Sequence, residues 1–522
     1  MRPTLWQAWL GCFLVMAICG SVSAQTRIVL QNENDEWRPK YHFTPPSYWM
    51  NDPNGLVFYQ GEYHLFYQHN PLGLTSEHKS WAHAVSTDLV RWQHLGVALP
   101  EENGRQMYSG SVVVDVNNTS GLCQNPSATD KSCLVAIYTA HTPTKEAQHI
   151  AFSNDRGRTW TKYAGNPVVD ISAQDFRDPK VFWHAATKQW VMVVAMPKEK
   201  KVRLYGAANL KAWKMLSEFG PAGVTEGVWE CPDLFELPIE GSRTNKRWVL
   251  VVSTSAGSAA GGSGVQYFVG TFDGVKFTND NAPTTKLLLN YGKDLYAAVT
   301  WSDIAPSDGR RILLGWMTNL QYASRQPTAP WRGMLSVPRV LTLRKTGEGV
   351  RLQQQPIAEL QTLREKQVSY GSRQVVEGMP LLASEGVSGD ALEIIAEFEI
   401  GKAKEFGFVL RAQKEQKTIV GYDVVKKELF IDRNQAGESD FAPDNFPGRH
   451  AVTLSPDGKK IRLQILLDRT SVEVFGNDGI VTLTDTIFPE PASVKAEIYV
   501  REGKVRLEAL DVWRLKSALV SP

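Results

Sequence analysis

The most constraining feature of this 522-residue chain is a series of short apolar segments separated by turns, with almost no helical periodicity. From about residue 40 to 345 these segments alternate with Gly, Pro, Asn and Asp. Examples are GLVFY, EYHLFYQ, CLVAIYTA, QWVMVVAM, RWVLVVS and RILLGWM. Short strands at this density are typical of an all-β domain.

A loose repeat runs through the same region, in which a turn leads to an aromatic residue. Its four copies lie at 86–92, 153–160, 207–213 and 271–277, so they recur at intervals that suit four-stranded propeller blades. A fifth unit, at about 295–345, has an apolar hairpin without the repeat. We therefore predict a five-bladed β-propeller. A β-sandwich with long loops is the alternative.

The composition and the strand pattern of the chain change after Arg344. Trp is nearly absent until Trp513, and a short helix-like segment, IAELQTLREKQ, leads into alternating strands such as ALEIIAEFEI, RLQILLDRTSVEVF and VKAEIYVR. This pattern predicts a second all-β domain, a two-sheet sandwich. We place the propeller at 25–345 and the β-sandwich at 346–522.

The first 24 residues have the pattern of a secretory signal peptide. Arg2 provides the positive start, residues 10–18 are apolar, and Val22-Ser23-Ala24 is a small-residue cleavage site. The apolar run is shorter than the roughly 20 residues that a membrane span needs. The mature protein is therefore expected to be secreted or periplasmic, without a membrane span.

Charge and histidine placement argue against several partners. The formal net charge is only +2 and is spread along the chain, so neither nucleic acid nor an anionic membrane is indicated. The 10 His residues are scattered without a ligand-like set of Cys or acids. We expect no metal and no cofactor, and the sequence does not indicate an oligomeric state.

Three cysteines remain after the signal sequence. Cys123 and Cys133 lie in the polar segment NNTSGLCQNPSATDKSC, which is typical of a surface loop. In an oxidising compartment we expect them to form a disulfide that closes this loop. Cys231 would then be an unpaired thiol beside Glu230.

Three acidic residues each stand beside a proline, directly before an apolar strand. They are Asp52 in WMNDPNG, Asp178 in DFRDPKVFW and Glu230 in EGVWECPDLFEL, with Asp233 close by. Turn formation alone would explain any one of them. Their shared position in three units favours convergence at the propeller axis, where crowding would raise one pKa and leave the other groups ionised. Glycoside cleavage needs such a pair, one protonated acid and one ionised carboxylate.

At this point the sequence resembles a known family, glycoside hydrolase family 32, which contains invertases, inulinases and levanases. The matching motifs occur in order along nearly the whole mature chain. They are WMNDPNG, YHLFYQHNP, SWAHAVS, YSGS, FRDPKV, WECPD, GGSGVQYFVG, GWMTNLQYA, PTAPWRGMLSVPR and TSVEVFGNDG. The resemblance implies a five-bladed propeller followed by a β-sandwich, in agreement with the strand pattern.

The resemblance also implies residue roles. Asp52 would be the nucleophile, Glu230 the acid/base and Asp178 the transition-state stabiliser. The implied mechanism is retaining, with Asp52 and Glu230 carboxyl groups about 5–5.5 Å apart. Substrate binding is assigned to Trp49, Asn51, Gln68, Ser109, Arg177 and Trp316.

Two departures from the family pattern concern the pocket rather than the acids. Ser76-Glu77 stands where relatives usually have Trp-Gly, so one wall should be smaller and more polar. Ser255-Ala256-Gly257 stands where many have Asn-Pro-Gly. Cys231 matches a cysteine found in some family members beside the acid/base. A polarisable, poorly hydrating neighbour there could tune the proton affinity of Glu230.

We therefore expect a secreted, retaining β-fructosidase that removes terminal fructose from levan, inulin or sucrose. An endo-acting levanase or inulinase and an enzyme that transfers fructose to sugars are alternatives within the family. From a different class, the chain could be a non-catalytic fructan-binding protein, but such a protein would not need the three acids together.

Overall fold

Five small sheets follow one another along residues 48–356 and form a β-propeller. They are seen in a computed structural model, which describes residues 31–33, 35–124, 131–242 and 244–519. The signal peptide expected at 1–24 lies outside the described residues. The predicted all-β architecture, a propeller followed by a β-sandwich, is confirmed.

The first two blades use the chain up to residue 173. Blade 1 contains β1 Tyr48–Tyr59, β2 Glu62–Asn70, β3 Ser80–Ser86 and β4 Gln93–Leu99. Blade 2 contains β5 Gln106–Val114, β6 Leu134–Thr142, β7 Lys145–Ser153, β8 Thr161–Lys162 and β9 Val169–Ala173. Neighbouring strands within each blade are antiparallel.

Blades 3 to 5 repeat this hairpin plan. Blade 3 contains β10 Arg177–His184, β11 Gln189–Met196, β12 Lys201–Ala207 and β13 Lys214–Phe219. Blade 4 contains β14 Trp229–Pro238, β15 Lys246–Thr254, β16 Gly264–Phe272 and β17 Phe277–Asn279. Blade 5 contains β18 Tyr296–Thr300, β19 Arg311–Trp316, β21 Arg339–Thr346 and β22 Gly349–Pro356.

The first strands of the five blades surround the propeller axis. Each contacts the next in the order β1, β5, β10, β14 and β18, and β18 contacts β1 again. Two parallel pairings close the ring. Val57 in β1 bridges Ser302, and the short strand β20 Trp331–Arg332 pairs with the start of β1.

The sequence repeat corresponds to one structural element, the turn between the third and fourth strands of blades 1 to 4. An Asp or Asn oxygen in each copy accepts backbone N–H groups further along, as Asp88 Oδ1 does from Val90 at 3.0 Å and Arg91 at 2.7 Å. Such side-chain caps stabilise turns. The capping residues are Asp88, Asp155, Asn209 and Asp273. Blade 5 lacks the repeat because a tight turn joins its last two strands, β21 and β22.

Two sequence-based boundaries need adjustment. The propeller was expected to end at residue 345, but β22 pairs along its whole length with β21 and so belongs to blade 5. The helix expected over IAELQTLREKQ is only the 3-10 helix Ala358–Leu363, because the chain becomes a strand again at Arg364. The other 3-10 helices are Pro197–Glu199, Ala323–Arg325 and Ala383–Glu385.

Two antiparallel sheets form the β-sandwich. The first contains β23 Arg364–Tyr370, β24 Arg373–Val376, β25 Leu392–Glu399, β30 Lys460–Asp468, β31 Ser471–Gly476, β32 Val481–Thr486 and β34 Lys504–Leu515. The second contains β26 Glu405–Gln413, β27 Gln416–Asp423, β28 Glu428–Gln435, β29 Arg449–Thr453 and β33 Lys495–Arg501. Their facing side chains form one hydrophobic core.

A continuous apolar cluster joins the propeller to the β-sandwich. Phe43 and Leu314 on the propeller side belong to the same cluster as Leu466 and Phe475 of the sandwich. Apolar burial of this kind resembles a domain core rather than a transient contact. The two domains therefore form a single packed unit.

A buried charge network crosses the same interface. His42, before the first blade, lies 2.8 Å from Asp468 and 2.9 Å from Glu473 of the sandwich. Glu473 also accepts hydrogen bonds from the Val337 N–H and the Arg339 guanidinium of the propeller. Glu473 belongs to the TSVEVFG motif, so this sequence signal corresponds to a domain contact.

The charges of this network shift two pKa values in opposite directions. Burial alone would lower the pKa of His42, but its hydrogen bonds to the carboxylates of Asp468 and Glu473, with their negative charges, outweigh burial and raise the pKa to about 9. Burial alone would raise the pKa of Glu473, but Arg339 and His42 lower it to about 2. His42 is therefore protonated and Glu473 ionised near neutral pH.

We predict that this network makes stability depend on alkaline pH. The folded pKa of His42 lies above its ordinary value, so its contribution is complete below about pH 6.5 and is lost as the pH rises through 9. A loss of about 3 kcal/mol of unfolding free energy is expected. The substitution His42→Asn should lower stability at pH 6 and flatten this pH dependence, as measured by denaturant unfolding.

The matched control is His78→Asn, which removes an exposed histidine that is paired with Glu101. It should leave the pH dependence of the wild-type chain unchanged. If the His42→Asn variant loses as much unfolding free energy between pH 6.5 and 9 as the wild-type chain does, the network does not hold a charged histidine.

Candidate active site

A β-bulge interrupts the first strand of every blade near its start. The register shifts lie between Met50 and Pro53, Met107 and Gly110, Arg177 and Lys180, Glu230 and Asp233, and Tyr296 and Val299. Bulges redirect side chains and tolerate proline, which has no N–H for the ladder. The prolines of NDPNG, RDPK and ECPD therefore mark the positions where the acids turn toward the axis.

Three of these bulges place a non-glycine residue in the left-handed region. The φ angles are 66° at Asp178, 48° at Cys231 and 49° at Ala297. Each such residue costs about 1 kcal/mol. The surrounding sheet holds this backbone in place, and the cost is typical of residues that a site must aim in one direction.

Asp52 is a buried carboxylate held by several donors. Its Oδ2 accepts from Ser109 Oγ at 2.6 Å, and its Oδ1 accepts from Asn51 Nδ2 at 3.0 Å. Burial raises the pKa of Asp52, the hydrogen bonds of Ser109 and Asn51 lower it, and the charge of Glu230 raises it again. The net pKa lies above the ordinary range, and the donors limit that rise.

Asp178 lies beside Asp52, and Cys231 connects the two. The Cys231 N–H donates to Asp178 Oδ2 at 3.0 Å, and its thiol lies 3.5 Å from Asp52 Oδ2. Burial raises the pKa of Asp178, although Arg177 opposes the shift, and the charges of Glu230 and Asp52 add to it. The thiol was expected to affect Glu230, but it contacts the two aspartates.

Glu230 is held by a guanidinium on one side and a phenol on the other. Arg177 Nη2 lies 2.9 Å from Glu230 Oε1, and the Tyr296 hydroxyl donates to Oε2. The same guanidinium lies 3.3 Å from Glu146 and 3.2 Å from Asp175. Arg177 therefore fixes the position of Glu230 and joins it to the neighbouring blade.

Five of the six residues assigned to substrate binding form a connected group beside Asp52, and the sixth, Arg177, bonds to Glu230. Trp49 donates to Asn51 at 2.7 Å, and Asn51 donates to Gln68 at 2.7 Å. Gln68 in turn donates to Ser109. The Trp316 ring meets Trp49 edge-on, at 5.6 Å between centroids. All nine residues predicted for the site thus surround one location.

These groups open into a cavity of about 480 Å³. The size is within the range of small-molecule sites. Its rim includes side chains that the sequence analysis had not selected, with Lys79, Tyr108 and His141 on one side. The other newly found lining residues are Glu146, Gln174, Asp175, Lys198, Tyr296, Leu320, Ala323 and Ser324.

The two departures from the family pattern have different surroundings. Ser76 lines the cavity, as expected from the resemblance. Ser255 instead accepts the Val228 N–H at 2.9 Å and so supports the segment directly before Glu230. One substitution changes the cavity wall, and the other affects the support of the acid.

Several site residues were missed by the sequence analysis, and one acid near Glu230 in the sequence lies away from the cavity. Tyr296 occupies in blade 5 the place that the acids occupy in the other blades, so the same positional argument would have found it. Glu146 has no motif and comes from β7. Asp233 stands three residues after Glu230 in the sequence. It accepts a hydrogen bond from Thr300 and lies 3.4 Å from Lys180, away from the cavity.

Three further expectations concern features outside the cavity. Cys123 and Cys133 are joined as a disulfide in the structure. Within the described ranges, no group of three or more His, Cys, Asp or Glu side chains is arranged to hold a metal ion. No helix in that part of the chain is long and apolar enough to cross a membrane.

The arrangement is suited to acid/base chemistry on a sugar. Two buried aspartates and a less buried glutamate face one cavity, with amide, hydroxyl and indole donors around them. Cleavage of a glycosidic bond requires a pair of carboxyl groups on opposite sides of the bond. The fold and the site together place this protein in the class of glycoside hydrolases.

The chain belongs to glycosyl hydrolase family 32. The family's N-terminal domain profile matches residues 42–356, and its C-terminal profile matches residues 359–514. These matches cover the propeller and the β-sandwich and confirm the resemblance of the sequence motifs.

Characterised relatives share most of the chain. A levanase of Bacillus subtilis (strain 168) is 49% identical over 488 residues, which cover 92% of this chain and 71% of that protein. An extracellular exo-inulinase of Aspergillus awamori is 37% identical over 525 residues, which cover 93% and 96%.

Solved structures of similar proteins have the same architecture. The crystal structure of exo-inulinase from Aspergillus awamori superposes with a TM-score of 0.85 at 36% identity, over 93% of this chain and 100% of that one. A fructofuranosidase from Schwanniomyces occidentalis complexed with fructose gives a TM-score of 0.84 at 32% identity, over 92% and 99%.

We predict that the Cys231 thiol is chemically inert in the folded protein. It is buried, and burial together with the charges of Asp178 and Asp52 raises its pKa, so little thiolate is present. Iodoacetamide should modify Cys231 at least about tenfold more slowly before unfolding than after it, as followed by mass spectrometry. The control is Ser307→Cys, a cysteine added at an exposed position of a turn, which should react rapidly. Equal rates at the two positions would contradict the buried placement.

Proposed function

We propose that this chain is an exo-acting β-fructosidase that releases terminal fructose from fructans and from sucrose. The observation that carries this proposal is the position of Asp52 and Glu230 in one cavity, each held by its own set of donors. The names of the relatives, levanase and exo-inulinase, support the same substrate class.

In the first step Asp52 acts as the nucleophile. Its ionised carboxylate attacks the anomeric carbon of the terminal fructose, while Glu230 gives its proton to the glycosidic oxygen. The bond to the leaving sugar breaks, and a covalent ester of fructose with Asp52 forms. The donors Ser109 and Asn51 favour the ionised state that this attack needs.

In the second step Glu230 acts as the base. It takes a proton from water, the water oxygen attacks the anomeric carbon, and the ester bond to Asp52 breaks. Fructose leaves with its original configuration. This retaining mechanism keeps the prediction that the Asp52 and Glu230 carboxyl groups lie about 5–5.5 Å apart. Asp178 would bind fructose hydroxyls beside the reacting carbon.

The shape of the cavity supports exo action. Its floor is formed by buried groups, among them Trp49, Asp52 and Asp178, which are all less than a tenth exposed. A pocket with such a buried floor suits the binding of a chain end. An endo enzyme would need a cleft that is open at both ends.

Secretion is part of the proposal. The Cys123–Cys133 disulfide is typical of an oxidising compartment, and the Aspergillus awamori relative is named extracellular. A polymeric fructan outside the cell is a substrate that fits this location and a pocket for chain ends.

The proposal is tested by the products formed from levan, inulin and sucrose. We expect free fructose from the start of the reaction, and its relative rates of release identify the preferred linkage. Thin-layer chromatography of time points distinguishes the alternatives. A ladder of oligosaccharides would indicate endo action, and longer fructosides from sucrose would indicate transfer. No product from any of the three would overturn the assignment.

The same assay includes the substitution Asp52→Asn as the matched variant. Loss of the nucleophile should reduce turnover at least about 10⁴-fold while the fold and fructan binding remain. Circular dichroism and retention on a fructan gel check the last two points. A variant that keeps its turnover would remove Asp52 from the mechanism.

A second prediction concerns the acid limb of the pH profile. Activity that needs ionised Asp52 falls as the pH drops through its pKa. The substitution Ser109→Ala removes a hydrogen bond that lowers this pKa, so the acid limb of kcat/KM should move up by about one pH unit. The control Ser217→Ala changes an exposed hydroxyl on β13 and should leave the limb in place. An unmoved limb in the Ser109→Ala variant would show that Asp52 does not control it.

A further inference from the structure

Lys79 is a cation at the rim of the active-site cavity. Lys79 directly precedes β3, and its side chain lines the cavity beside Ser76 and Tyr108. The ammonium donates to the Ser76 carbonyl and lies 4.9 Å from the centre of the Tyr108 ring. The ring of Tyr108 is itself stacked on His141, with 4.1 Å between centroids.

Lys79 differs from the other cations of the cavity in its partners. Arg177 pairs with Glu230, Glu146 and Asp175, and Lys198 lies 2.7 Å from Asp175. Among the described residues, no carboxylate lies within ion-pair distance of Lys79. An ammonium has three donors, and the Ser76 carbonyl uses one of them. The remaining donors are available to a ligand in the cavity.

The position of Lys79 identifies the part of the substrate that it can reach. The Tyr108 ring under Lys79 stacks on His141, and His141 Nδ1 lies 3.1 Å from Glu146. Glu146 in turn lies 3.3 Å from Arg177, the ion-pair partner of Glu230, so this side of the cavity adjoins the acid. The acid must stand beside the glycosidic oxygen that it protonates. The sugar attached to that oxygen therefore lies against the side formed by Lys79, Tyr108 and His141.

We propose that Lys79 is a specificity-determining residue, whose ammonium donates hydrogen bonds to hydroxyl groups of the sugar that leaves. This inference rests on the proposed function. Hydroxyl oxygens accept such bonds, and a bond from a charged donor is stronger than one between neutral groups. Lys79 contributes while the leaving sugar is bound and has no role once water attacks the fructosyl ester.

The test compares two fructosides that differ only in the leaving group. Sucrose loses a glucose unit with several hydroxyls, whereas methyl β-D-fructofuranoside loses methanol, which is too small to reach Lys79. In the variant Lys79→Met, kcat/KM for sucrose should fall about tenfold to a hundredfold. For the methyl fructoside it should change by less than about twofold.

Two further variants separate the hydrogen bond from other effects of the charge. The substitution Lys79→Arg keeps charged donors and should recover part of the lost kcat/KM for sucrose. The control Lys214→Met makes the same change in net charge at an exposed residue of β13 and should leave both substrates unaffected. If Lys79→Met does not fold, as judged by circular dichroism, Lys79→Gln replaces it.

Two results would overturn the proposal. If Lys79→Met lowers kcat/KM equally for both fructosides, the ammonium acts on the carboxylates and not on the leaving sugar. If it lowers neither, Lys79 does not contact the substrate. Failure of the proposed function would look different, because the wild-type protein would then hydrolyse neither fructoside. At high sucrose concentration, a reduced ratio of fructose transfer to hydrolysis in Lys79→Met would add support, since an acceptor sugar occupies the same side.

Discussion

The bulges in the first strands control the chemistry of this molecule. A regular strand directs successive side chains to opposite faces, so an acid at the start of a blade could be paired into the sheet or point along it. The extra residue at each bulge turns Asp52, Asp178 and Glu230 toward the axis. Proline at the same place removes an N–H that would otherwise lack a ladder partner. The backbone strain at Asp178 and Cys231 is held by the paired sheets on either side.

Once the acids are aimed inward, their stability depends on donors supplied by neighbouring blades. Asp52 in blade 1 is held by Ser109 in blade 2, and Asp178 in blade 3 is held by Cys231 in blade 4. Glu230 in blade 4 is held by Arg177 in blade 3 and Tyr296 in blade 5. Blades 2 to 5 therefore each supply a partner to an acid that they do not carry. The donors from neighbouring blades offset the free-energy cost of burying each carboxylate.

Sequence reasoning could predict features with a local cause. Asp88 and its counterparts mark turns because their own side chains cap them, and the prolines beside the acids mark bulges for the same local reason. Tyr296 was missed because the search for catalytic residues considered only carboxylic acids at the start of each blade. Glu146 and Lys79 could not be identified, since their roles depend on which loops meet across blades. Asp233, three residues after Glu230, bonds to Thr300 and so belongs to another layer of the propeller.

The closure of the ring affects how the polypeptide matures. Blade 1 is made early during synthesis, but β1 pairs with Trp331 and bridges Ser302, which are made much later. The segment before β1 is held in addition by Asp468, near the end of the chain. Contacts between such distant positions are slow to form and leave early strands without partners in the meantime. The nascent chain therefore cannot complete its first blade in order of synthesis, and a functional active site arises only after nearly all of the polypeptide has been made.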